Sequence, residues 1–99
     1  LSIFKTYVCP EMAASLITEF KAKGYKYRLS PVPQGRETFW RLEVQAEGSE
    51  AWQQLASNGK PVLQGHLLPT FALARKGAFD HSVENTGKMP VRSISYLPE

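Results

Sequence analysis

The chain reads as an α+β domain of ferredoxin-like type, a split βαβ (βαββαβ) in which two helices cover one face of an antiparallel sheet, followed by a C-terminal extension. Three observations predict this. Strict apolar/polar alternation occurs at 25–29 and 38–44, helical spacing of apolar residues occurs at 10–24 and 49–59, and Pro or Gly stands at most junctions between them. The chain's 99 residues suffice for one hydrophobic core, so the domain is expected at 1–77 and the extension at 78–99.

The elements follow in order. Residues 2–9, S-I-F-K-T-Y-V-C, are rich in β-branched and aromatic types and predict a strand that Pro10 stops. In 10–24, Pro10 suits a first helical position, Ala13, Leu16, Ile17 and Phe20 fall on one helical face, Lys21 and Lys23 suit the last turn, and Gly24 suits a C-terminal cap. A helix is expected there. Tyr25, Tyr27 and Leu29 alternate with Lys26 and Arg28 as a second strand, and a loop punctuated by Pro31, Pro33 and Gly35 leads to the third. The third strand, T-F-W-R-L-E-V at 38–44, is expected to pair antiparallel with the second. A short second helix follows Gly48, with Ser49 as N-cap, Trp52, Leu55 and Ala56 on its buried face, and Asn58-Gly59 at its end.

The fourth strand is expected at 62–68. Residues 69–77, P-T-F-A-L-A-R-K-G, fit either its continuation along a sheet edge or a short helix that starts at Pro69 and stops at Gly77. The extension is polar until V-R-S-I-S-Y-L, where alternation returns; an added strand at 91–97, a cover for the sheet or a seam with a second copy would each fit.

With 12 Lys+Arg against 9 Asp+Glu the net charge is +3, a mild bias toward anionic partners. The single cysteine, Cys9, excludes an internal disulfide and a cysteine-based zinc site, and points to a reducing, cytoplasmic setting. Residues 61–74 lack Asp, Glu, Lys and Arg but contain Gln64, Gly65, His66 and two prolines, so no membrane span is expected. A chain that begins at Leu1 rather than Met reads as an excised domain, a processed product or a tag remnant.

The faces of the sheet carry the functional expectation. Burial of the apolar parity under the helices puts Tyr25, Tyr27, Leu29, Trp40, Leu42 and Val44 inward. The outward set is then Lys5, Tyr7, Lys26, Arg28, Phe39 and Arg41, with Glu43 as the anion among them. Rings that stack on bases, flanked by cations for phosphates, are what a single-stranded nucleic-acid platform requires. However, G-R-E-T-F-W-R-L-E-V lacks the K/R-G-F/Y-G/A-F-V-x-F/Y pattern of RNA-recognition domains. An ordinary solvated face with cross-strand pairs such as Arg28–Glu43, and a face covered by protein, compete with the platform.

Other chemistry has less support. Cys9 sits at a strand-to-helix junction with no histidine nearby in sequence, His66 and His81 lack a metal-ligand spacing, and the carboxylates are scattered. No metal or cofactor is expected. The reading is a non-catalytic accessory or regulatory binding domain that contacts nucleic acid or a protein partner through Lys5, Tyr7, Lys26, Arg28, Phe39 and Arg41. A homo-oligomeric interaction, glycan-binding or small-ligand-sensing domain is the alternative, and a small enzyme using Cys9 or His66 stands behind both. A second copy of the chain is a further candidate partner.

Overall fold

A computed structural model of the chain describes residues 16–96, with backbone only at 94–96. Five strands and one helix follow one another: β1 (Ile17–Ala22), β2 (Tyr25–Gln34), β3 (Glu37–Ala46), β4 (Gln53–Gln54), α1 (Phe71–Thr86) and β5 (Val91–Tyr96). They form an antiparallel sheet in the order β4-β3-β2-β1-β5, with α1 against one face. The fold is therefore α+β, but among the described residues it has one helix and a meander of neighbouring strands. That is not the ferredoxin-like split βαβ.

Both departures arise from residues that fit two periods. Leu16, Ile17 and Phe20 suit a helix face, but 17–22 also alternates, and pairing decides in favour of the strand: Thr18 stands opposite Leu29 and Phe20 opposite Tyr27. Gly24, expected as a helix cap, lies at φ 82 in the two-residue turn between β1 and β2. The expected first strand at 2–9, and the part of the expected helix before Leu16, lie outside the described residues.

The loop expected at 30–37 is instead strand almost throughout. Pairing of β2 with β3 runs from Tyr25↔Ala46 to Gln34↔Glu37, so only Gly35-Arg36 turns, with Gly35 at φ 65 in the first turn position. The second expected helix is absent too. Leu55 N–H donates to Leu42 O at 2.9 Å and Gln54 stands opposite Glu43, so this segment serves the free edge of β3 rather than forming i→i+4 bonds with itself. The expected strand at 62–68 is a loop that touches the sheet at Leu68, whose N–H and C=O both bond Trp40 at 2.7 Å.

Residues 69–77 take the helical option, but the helix runs on through Gly77 to Thr86. Thr70 caps its start by accepting from Leu73 N–H at 3.2 Å, and Gly87, at φ 77, ends it. Replacing Thr70 by Ala is expected to cost about 1 kcal/mol, read as a shift of the urea midpoint at unchanged m. The buried face of α1 is made of Ala74, Gly77, Ala78 and Ser82. Small residues let the helix lie close on β1, β2 and β3, over Phe20, Tyr27, Leu29, Leu42 and Val44. The final strand appears as β5, paired with β1 across a bulge at Glu19/Phe20.

Candidate functional site: the face of the sheet opposite the helix

Because α1 covers only one face, the other parity of each strand is left for function. Strand register arranges it in rows. Lys21 stands directly opposite Lys26, which stands opposite Gln45. In the next row Glu19, Arg28, Glu43 and Gln54 follow one another across β1, β2, β3 and β4. Ser30 and Arg41 make the third row, and Val32 with Phe39 the fourth.

The second row is largely neutralised. Arg28 Nε donates to Glu43 Oε1 at 3.0 Å, its Nη2 lies 2.9 Å from the same oxygen, and Glu43 is only 13 % exposed. Arg41 Nε approaches that oxygen at 3.5 Å without forming a hydrogen bond and is buried, leaving a guanidinium that is satisfied poorly on its inner side. The Arg28 guanidinium also lies over the Trp52 ring, 4.1 Å from its centroid. The first row is different. Lys21 and Lys26, like charges directly opposed, have no ion pair or hydrogen bond among the described residues.

Two clefts open at the ends of these rows. One of about 340 Å³ lies at the turns joining β1 to β2 and leaving β3, beside Lys21, Lys26, Gln45 and Ser49. The other, about 420 Å³, lies between the β2–β3 hairpin and the loop 61–67, and is lined by Arg41, Glu43, Gln54 and Gln64 with Val32 and Leu67. Gln54 pins that loop: its Oε1 accepts from Gly65 N–H and its backbone carbonyl accepts from Val62 N–H at 3.0 Å.

Of the residues expected at the site, Lys26, Arg28, Phe39 and Arg41 share this face, whereas Lys5 and Tyr7 lie outside the described residues. Lys21, Trp52 and Gln54 join them unforeseen. The sequence context of Lys21 and Trp52 suits helices; the alternation of I-T-E-F-K-A is the signal for Lys21, and nothing in the sequence marks Trp52 as a lid over Arg28.

The residues considered for catalysis do not assemble. Cys9 lies outside the described residues, His66 is exposed in the 61–67 loop, and no cluster of three metal-ligating side chains occurs among the described residues. Asp80 pairs with Lys76 at 2.9 Å rather than with His81. His81 is instead a structural residue on the sheet-facing side of α1. Its Nδ1 and the Tyr27 hydroxyl share a hydrogen bond at 2.7 Å whose donor is set by the ring tautomer, and its ring stands edge-on to Tyr25 at 5.0 Å. Burial lowers the His81 pKa and pushes the Tyr27 hydroxyl up to about 12, so both are held neutral. A tyrosine so raised is a poor acid or base near neutral pH.

Among the described residues, no helix is long and apolar enough to cross a membrane. Comparison with protein-family models, curated proteins and solved structures finds no match to this chain.

Proposed function

We propose that the chain is a non-catalytic binding domain whose helix-free sheet face holds single-stranded nucleic acid. The observation that supports this best is the adjacency on one face of two unneutralised, directly opposed lysines, Lys21 and Lys26, with a guanidinium already stacked on an indole, Arg28 on Trp52. Opposed lysines repel each other until an anion lies between them, and a phosphodiester supplies it. The half-buried Trp52 and Phe39 offer ring surface for bases, a sequence-tolerant contribution. Glu19 and Glu43 oppose the same anion, so affinity is expected to be modest and steeply dependent on salt. A cytoplasmic setting goes with this reading, as the lone cysteine suggested.

The test is fluorescence anisotropy of labelled single-stranded oligonucleotides across a range of salt. Two or three phosphate contacts predict a slope of log K against log salt of about −1.4 to −2, and Lys26→Ala should flatten it by about 0.7. Phe39→Ala and Arg41→Ala should weaken binding. Failure to bind any oligonucleotide at low salt would transfer the face to a protein partner, whose capture the same Lys26 variant would probe.

A further inference from the structure

The cleft between the β2–β3 hairpin and the loop 61–67 has a more selective chemistry than the lysine row. Arg41 and Glu43 stand two apart on β3, on the same face and about 7 Å apart along the strand. The inner edge of Arg41 is buried, but the side chain is 40 % exposed, so its outer N–H groups are available to a ligand in the cleft. Glu43 gives Oε1 to Arg28, and Oε2 makes no hydrogen bond or ion pair among the described residues. A fork of donors therefore lies beside a free acceptor. Val32 and Leu67 supply apolar walls, and the Gln54 and Gln64 amides complete the lining.

We propose that this cleft is a guanine subsite of the single-strand surface, an inference that rests on the function proposed above. Guanine presents two acceptors, N7 and O6, on its Hoogsteen edge, followed around the ring by two donors, N1–H and N2–H, on its Watson–Crick edge. Arg41 would donate to the acceptors and Glu43 would accept from the donors. Adenine turns an acceptor, N1, toward the carboxylate, and cytosine, with acceptors O2 and N3 but a single donating group, N4–H, offers the carboxylate one hydrogen bond where guanine offers two. A base with one such bidentate match is favoured by about 5- to 140-fold.

The experiment compares labelled pentauridylate with the same pentamer carrying G, A or C at its centre, by anisotropy at low salt. The G-containing strand should bind at least fivefold tighter than the other three. In Glu43→Gln that preference should fall at least twofold, because only the Arg41 contact to N7 and O6 then remains. Equal binding of all four strands by the wild type, or an undiminished preference in a folded Glu43→Gln, overturns the guanine subsite and leaves the platform standing. No binding to any strand overturns both. Should Glu43→Gln melt below the assay temperature, the wild type decides. Titration with 5′-GMP should shift the Gly65 amide resonance, which reports on the Gln54 contact, and 5′-AMP should not. Equal shifts overturn the assignment.

Discussion

Gly77→Ala is expected to destabilise the protein by about 1–3 kcal/mol, although alanine favours an isolated helix over glycine by about 1 kcal/mol. The opposite sign comes from contact. A Cβ built on Gly77 would lie 2.4 Å from the Ala56 backbone carbonyl oxygen and 2.5 Å from Leu42 Cδ2. Leu42 can adopt another rotamer, but Ala56 is tied by its N–H to Lys60 O and by its C=O to Gly59 N–H, both at 2.9 Å, and cannot withdraw cheaply. The helix must then lift from the sheet, opening gaps over the fully buried Leu42, Leu29 and Tyr27. Thermal unfolding checks it: for a domain of this size each kcal/mol lowers Tm by about 4–8 °C. Gly24→Ala is the control, since its Cβ would meet no atom within 4 Å and only the φ of 82 penalises it.

The second large effect is alkaline. Tyr27 is fully buried, and its hydroxyl loses its proton near 10 in the unfolded chain but only at about 12 in the fold. Below pH 10 the stability it supports is fully present. Between 10 and 12 the unfolded state alone ionises, and on the order of 3 kcal/mol is lost. His81 acts at the other end with the same logic reversed. Its folded pKa lies below the ordinary 6.5, so as pH falls through 6.5 the unfolded state takes up a proton first, and stability declines until the folded pKa is reached. Urea unfolding at pH 5, 7, 10 and 12 should therefore give a plateau falling away on both sides. Tyr27→Phe should reduce the alkaline fall by more than half and lower the plateau, since His81 Nδ1 then loses its hydrogen-bond partner. An unchanged alkaline slope in that variant would show that other tyrosines cause the decline.

The centre of the sheet was legible because its alternation admits one period only. Tyr25, Tyr27 and Leu29 with Trp40, Leu42 and Val44 could not be buried in any other way, and the Arg28–Glu43 pair follows from the hairpin that places Arg28 opposite Glu43. The edges were not legible. Leu16, Ile17 and Phe20 satisfy a helix and a strand equally, Gly24 suits a cap or a turn, and Gly77 looks like a stop where it serves as a point of close approach. Nothing local reveals that Trp52 crosses to the helix-free face, since that depends on β4 reaching the edge of β3. As a result, four of the six expected site residues share a face in the structure, but the opposed Lys21–Lys26 pair and the cleft behind Gln54 emerge only from register and loop path.

That face is the central claim, and a nuclear magnetic resonance titration with a short single-stranded oligonucleotide tests it most directly. Amide and side-chain resonances of Lys21, Lys26, Arg28, Arg41 and the Trp52 indole should shift together and saturably, while Ala74, Ala78 and Ser82 on the buried face of α1 stay still. Shifts confined to α1 and its surroundings, or none at low salt, would contradict the account.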